Sequence, residues 1–492
     1  MSGSDVMSLL PLGALALGSL IVLLASAFFR RLMPVFILTL ASTAAALVIA
    51  AVQWDRAPFA VGALLFFDRF VIFGVVLILA ATLFAAVASW SFLRQRPQER
   101  GDYFFLLLVA SLGGCVLAAS SAFATFFLGL ELLSVSLYAM IGWRREHGAG
   151  MEAAIKYLIL AGASSAFLLF GMAMIYADTG TMSLYHLSEM AAGSGIIAPV
   201  GMGMLLVGVG FKLAVVPFHM WTPDVYAGAP AAVTGYIASV SKGAMVVVLA
   251  RAFSPALTGS VSQGVLSAAF PWVVAVIAGV SMFGGNILAL RESNVKRILA
   301  YSSIAHLGYL LVAFLAAGPE GLRAIAFYLV AYFASILGAF AAVGELATAR
   351  SEAESVEDFR GLAASRPGMA FILTAMVLSL AGLPLTAGFI GKFLLLKAGA
   401  GAQLWVLAVI LAVNSTISLF YYLKIISSLF RGFTADHGTP AAHPVGAAPT
   451  AVLRAPFLAG LALALLALAV VALGVYPSPL LGFIGSFAGI TP

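Results

Sequence analysis

Seven of the 492 residues are lysine, and five of those, Lys156, Lys212, Lys242, Lys392 and Lys424, fall inside long apolar stretches, whereas the eighteen arginines lie at the ends of such stretches or between them. That segregation has chemical content. Arginine keeps its proton in proteins, but a desolvated lysine can release one and take it back. A path that loads and unloads protons needs the second kind. Glu131 is the acidic residue in mid-stretch, between FFLGL and LLSVSLYAMIG, and His219 and His306 also fall within apolar segments. An ionisable group at the centre of a bilayer costs at least ~2.5–3.5 kcal/mol on insertion scales, so it normally faces a bundle interior or water and pairs with another group. For Lys156, near a helix start, and Lys424, a turn or two from Arg431, snorkelling to the interface is the competing reading. For each histidine it is a hydrogen-bonded packing role. Glu131, Lys212, Lys242 and Lys392 are the primary proton-translocation candidates, with His219, His306, Lys156 and Lys424 as secondary relay candidates.

Other chemistries find little support. A single cysteine, Cys115, excludes cysteine-ligated iron–sulfur clusters, cysteine-rich zinc sites and an internal disulfide. No His/Asp/Glu grouping has metal-ligand spacing, and no glycine fingerprint for phosphate opens a helix after a strand. The net charge of +6 builds no basic patch with interleaved aromatics, so nucleic acid is not an expected partner.

The elements that must position these residues are membrane helices. With 63% hydrophobic and 9% charged residues and a mean hydropathy of +1.11, the chain cannot be a soluble globule. Apolar spans run at roughly 8–28, 33–52, 71–93, 103–120, 122–142, 152–176, 196–221, 228–253, 268–289, 294–317, 320–349, 368–396, 402–431 and 456–482. They are continuously apolar rather than alternating, which predicts an all-α integral membrane protein of about fourteen helices and not a barrel. The stretches 351–367 and 432–456 read as solvated loops. The N-terminus lacks the pattern of a cleaved signal, so the first span is expected to remain as a helix. Loops after odd-numbered spans carry 15 Lys and Arg, Lys296 among them, and the opposite side five. The positive-inside rule then places both termini outside, opposite the cytoplasm. Pro217, five residues after Lys212, and Pro384, eight before Lys392, predict broken helices seven and twelve beside a hydrated path.

The ionisable positions repeat. Glu131 to His306 is 175 residues, Lys212 to Lys392 is 180 and Lys242 to Lys424 is 182, each a shift of five spans. This spacing predicts two five-helix units, spans 4–8 and 9–13, and an odd helix number inverts the second in the membrane. The corresponding divisions are a three-helix segment at 1–100, a first repeat at 101–255, a second at 256–432, and a loop with the last helix at 433–492.

The segment from Gly210 to Lys242, GFKLAVVPFHMWTPDVYAGAPAAVTGYIASVSK, resembles helices seven and eight of the antiporter-like proton-translocating subunits of respiratory complex I. Its FK, PFHMWTPDVY and GAP elements are closest in kind to the subunit N branch of that family. FFLGLELLSVSLYAMIGW, EAAIKYLILAGASSAFLLFGMAMIY and LAYSSIAHLGY resemble the same branch, over about residues 100 to 430; Leu130 stands before Glu131 where subunits L and M typically have tryptophan. The resemblance implies a translocase subunit of an NADH:quinone oxidoreductase with no redox site of its own. It further implies that Glu131 pairs with Lys212, that Lys242 is central and that Lys392 is terminal in a midplane line driven by quinone reduction elsewhere. No cofactor is expected in this chain, with flavin, iron–sulfur clusters and quinone in partner subunits. Subunits M and K are the expected neighbours. The rival readings are an independent cation/proton antiporter, which would want more mid-membrane carboxylates than Glu131, and a non-conducting scaffold, against which four buried charges argue.

Overall fold

The computed structural model describes residues 3–28, 31–94, 102–144, 148–185, 196–257, 265–346, 354–432 and 457–488. Their backbone is almost wholly helical, as it must be where no water reaches N–H and C=O groups. The chain opens with α1 (Gly3–Phe28) and α2 (Leu32–Val52). A hairpin of β1 (Phe59–Val61) and β2 (Leu65–Phe67) comes next, turned at Gly62, and then α3 (Arg69–Arg94), α4 (Tyr103–Ala119), α5 (Phe123–Ile141) and α6 (Gly148–Thr179). The hairpin has no counterpart in the apolar spans, since three-residue strands leave no periodic signal. The middle third holds α7 (Ile197–Leu213), α8 (Trp221–Gly228), α9 (Ala231–Tyr236), a five-residue π-helical stretch (Ile237–Ser241), α10 (Lys242–Leu257), α11 (Val265–Arg291), α12 (Val295–Ala316) and α13 (Gly318–Glu345). The chain ends with α14 (Leu362–Ser365), α15 (Pro367–Ala381), α16 (Ala387–Gly401), α17 (Trp405–Phe430), α18 (Phe457–Val475) and α19 (Ser478–Ala488).

Among the described residues, 11 helices are long and apolar enough to cross a membrane, and four more apolar helices are shorter. The fourteen expected spans are therefore not fourteen continuous helices. Span seven, drawn to 221, holds α7 and the unwound stretch that leads into α8; span twelve is α15 plus α16, and the last is α18 with the start of the short α19. The stretch expected as a solvated loop at 351–367 is docked from residue 354 onward. Ser355 and Asp358 form a capping box, Val356 and Phe359 are buried, and the backbone N–H groups of Val295 and Val356 donate to Glu354 O and Ser293 O. Residues 433–456, and with them Arg454, lie outside the described residues, as do Arg30, Arg96, Arg100, Arg145 and Arg350 of the orientation count.

Packing repeats with the same five-span shift as the charges. α4 lies along α5 as α11 lies along α12, and α6 packs on α7 and α8 as α13 packs on α15 and α16. The α4–α5 and α11–α12 contacts are both glycine-mediated. A Cβ on Gly113 would come 2.5 Å from Leu133 N and one on Gly129 2.5 Å from Leu117 N, while one on Gly285 would come 2.6 Å from Tyr301 O and one on Gly308 2.9 Å from Ala278 O. Small residues let helix backbones touch where lipid supplies no hydrophobic drive for association. The middle of the molecule is α9–α10, α12 and α13, whose residues are nearly all buried. Lys242 of α10 and His306 of α12 sit there, with Lys212 of α7 and Lys392 of α16 on helices beside it.

Candidate functional site

The first ionisable group is built on α5, α6 and α7. Lys212 lies in the last turn of α7, two residues before Ala214 turns left-handed at φ 60° and ends the helix. The residue is 2% exposed, and its ammonium donates to Ser134 Oγ at 2.8 Å and Tyr157 Oη at 3.3 Å. Glu131 stands one turn before Ser134 on α5 and accepts a hydrogen bond from Ser165 Oγ of α6 at 2.5 Å. Among the described residues no ion pair joins Glu131 to Lys212. Ser134, whose own hydroxyl donates to Leu130 O at 2.6 Å, takes the place beside the ammonium, so an electrostatic pairing of Glu131 with Lys212 acts without contact between them.

The second group centres on Lys242, 1% exposed, the first residue of α10 after the π-helical stretch. One extra residue per turn rotates the rest of the helix, and π segments of this kind occur often at functional sites. Lys242 donates to Ser303 Oγ of α12 at 2.7 Å, Ser303 is hydrogen-bonded to Tyr332 of α13 at 2.7 Å, and the Tyr226 ring lies 5.5 Å from the ammonium.

His306, 3% exposed, stands one turn after Ser303 on α12. Its Nδ1 shares a hydrogen bond with Tyr328 and its Nε2 with Tyr422 at 3.1 Å. Its ring packs on Tyr332 at 5.3 Å and on Tyr309 at 5.5 Å. Tyr309 lies 5.2 Å from the third ammonium, Lys392, which is 4% exposed on α16 and donates to Ser415 Oγ at 3.0 Å and Ala381 O at 2.8 Å. Lys242 is thus joined to Tyr332 through Ser303, and from there to Lys392 by the packed rings of Tyr332, His306 and Tyr309. The fold brings together Lys212, Lys242, His306 and Lys392, each with neutral hydrogen-bond partners.

Both broken helices are unwound, at 214–220 and 382–386. The carbonyls they free find side-chain donors from beyond the break. Trp221 Nε1 donates to Phe211 O at 3.0 Å, and Lys392 Nζ to Ala381 O. The two lysines flank their breaks from opposite sides, Lys212 before and Lys392 after, so they are not equivalent in position along their helices.

The remaining candidates stand apart. His219 is half-buried in the first break, next to the exposed Met220. Lys156 is a surface residue, 44% exposed, ion-paired to Glu152 and Asp224 at 2.8 Å each. Lys424 is exposed and donates to Glu292 O at 2.8 Å. Lys296, expected in a loop, is buried on α12 and donates to Ala229 O at 3.0 Å. Its neighbours Arg291 and Arg297 give it the look of a loop charge. The hydroxyl partners Ser134, Tyr157, Ser303, Tyr332 and Ser415 escape sequence reading, although Glu131/Ser134 and Ser303/His306 at i, i+3 are the spacing by which they could be found.

Residues 120–418 match the family model described as NADH:quinone oxidoreductase/Mrp antiporter, transmembrane region. The chain is 41% identical to NADH-quinone oxidoreductase subunit N of Ectopseudomonas mendocina (strain ymp) over 99% of this chain and 97% of that one. It is 43% identical to the subunit N of Nitrosospira multiformis over 99% and 97%. A chain of respiratory complex I from Thermus thermophilus superposes with a TM-score of 0.78 at 32% identity, covering 96% of this chain and 98% of that one. A chain of the Mrp complex from Dietzia sp. DQ12-45-1b, at 22% identity and a TM-score of 0.84, covers 99% and 97% and shares the fold.

Proposed function

The chain belongs to the family of antiporter-like membrane subunits represented by subunit N of NADH-quinone oxidoreductase, and from that premise we propose that its buried lysines pass protons along a line through the molecule, driven by quinone reduction in neighbouring subunits. One observation carries this reading. Lys212, Lys242 and Lys392 are each almost wholly buried and hydrogen-bonded to a hydroxyl, and among the described residues none is within ion-pair distance of a carboxylate. A buried ammonium that a carboxylate neutralised at contact would be a fixed ion pair. One held by neutral oxygens can give its proton to a neighbour and be left as an amine with the same partners satisfied.

In this reading Glu131, one turn from Ser134, sets the charge state of Lys212 at a distance. When its influence is withdrawn, Lys212 releases a proton toward Lys242 across the tyrosines and water between them. Lys242 hands it through Ser303, Tyr332 and His306 to Lys392. Each ammonium disfavours its neighbour's charge, so a proton arriving at one end drives one out at the other. The chain works among other membrane-arm subunits, with M and K as the proposed neighbours, in the bacterial inner membrane and with periplasmic termini. The flavin, iron–sulfur and quinone chemistry is assigned to partner subunits. A free-standing cation/proton antiporter gains no support, because among the described residues no three His, Cys, Asp or Glu side chains gather into a cation site.

Lys212→Arg keeps the charge and the donors but removes accessible deprotonation. Reconstituted complex bearing it should contain the full subunit set and show no proton uptake by a pH-sensitive dye. Normal uptake would remove proton exchange at Lys212 from the reading.

A further inference from the structure

α8 lies between the first two lysines of the line. Its first residue, Trp221, packs on Tyr157 at 4.8 Å and on Phe211 at 5.4 Å, and caps the Phe211 carbonyl beside Lys212. Its sixth residue, Tyr226, presents its ring to Lys242. A helix of 8 residues is too short to be stable by its own hydrogen bonds, so its position must be fixed from outside.

Beyond the packing of its buried side, α8 is held by ion pairs from both five-helix units. Asp224, in the middle of α8, accepts from Lys156 Nζ of α6 at 2.8 Å and from Arg297 Nη1 of α12 at 2.9 Å. Lys156 is held in turn by Glu152, and Arg297 by Glu292 at 2.9 Å. The three central side chains are 44%, 37% and 31% exposed, and isolated pairs so open to water contribute little to stability. Global stability is thus a minor product of this chain of charges. Two cations converging on one carboxylate from different helices instead define where that carboxylate sits. We infer that Asp224 is a positioning residue for proton transfer between Lys212 and Lys242: gripped by Lys156 and Arg297, it sets α8 so that Trp221 backs the Tyr157 that meets the Lys212 ammonium and Tyr226 faces that of Lys242. The inference rests on the proton-translocating reading above, and it makes Lys156 a holder of α8 instead of a member of the relay.

The test uses the intact complex, reconstituted, with proton uptake and quinone reduction measured together. Asp224→Asn should assemble with the full subunit set and slow uptake about tenfold, and Asp224→Glu, which keeps the carboxylate, should recover at least half of the parent rate. Trp221→Phe, which keeps the aromatic packing but loses the indole N–H, should also slow uptake. The double variant should be no slower than the slower single one, because both act through the same helix. Should Asp224→Asn prevent assembly, Lys156→Gln and Arg297→Gln in assembled complex take its place with the same expected slowing. Parent-like uptake in these variants, no recovery in Asp224→Glu, or losses that multiply in the double variant would overturn the inference. Lys212→Arg in the same series separates the two failures: if it blocks uptake while Asp224→Asn does not, only the positioning role falls.

Discussion

Lys392 reaches back across its own helix break to the carbonyl of Ala381, at 2.8 Å, and the left-handed Gly382 leaves room for its stem: a Cβ there would come 2.7 Å from Lys392 Cδ. The ammonium is at once a member of the proposed line and the donor that satisfies a carbonyl freed by the break.

The two roles separate by substitution. Lys392→Arg retains donors for Ala381 but cannot release a proton, so uptake should be lost in stable, assembled complex. Lys392→Met should lose uptake and in addition leave the carbonyl unsatisfied, at ~1–3 kcal/mol. A lower midpoint for Lys392→Met than for Lys392→Arg in thermal unfolding of the complex checks the difference.

Ser303 joins Lys242 to the Tyr332 hydroxyl, and the Tyr332 ring packs on His306. Ser303→Ala and Tyr332→Phe should each slow proton uptake about tenfold, equivalent to ~1.4 kcal/mol, and the pair together should cost little more than either alone. Rates from reconstituted complex decide the matter, and full additivity would place the two hydroxyls on separate routes.

Topology can be read by cysteine labelling, because the single native cysteine, Cys115, is fully buried. Glu357, 70% exposed next to the docked Ser355 cap, and Ser478, exposed at the start of α19, offer positions that leave capping bonds intact. An impermeant maleimide should reach Glu357→Cys from the cytoplasmic side and Ser478→Cys from the periplasmic side. Labelling from one common side would invert the proposed orientation of one half of the chain.

Lys296 is no neutral surface position. Lys296→Met should remove the donor to Ala229 O, the residue that ends α8, and destabilise the chain by ~1–3 kcal/mol, visible as a lower yield of assembled complex.

The membrane class, the lysines and both helix breaks are legible in the sequence because each is a local exception. A charge inside an apolar run, or a proline such as Pro217 or Pro384 inside a helical one, stands out against its surroundings. The partners of those charges are not legible. Ser134, Ser303 and Ser415 satisfy their hydroxyls within their own helices or with a neighbour, so apolar segments tolerate them anywhere. Opposite charges attract, which makes contact between Glu131 and Lys212 the natural expectation, yet spacing along two helices says nothing about which side chain of a turn fills the gap. Lys296 misleads for the opposite reason, since at the very start of an apolar span and between Arg291 and Arg297 it counts as a loop charge. The β1–β2 hairpin leaves too short a pattern to detect.

The π-helical stretch before Lys242 gives the central position an unusual vulnerability. A residue inserted into an α-helix without rebuilding its neighbours turns the downstream residues by about 100°. The contact between Lys242 and Ser303 therefore depends on residue count as much as on residue type. Loss of one codon within Ile237–Ser241 would leave every side chain of the line in the gene, return the segment to regular α-helix and swing the ammonium away from α12. In descent, such a length change could retire or create a proton site in a single step that no substitution scan would find.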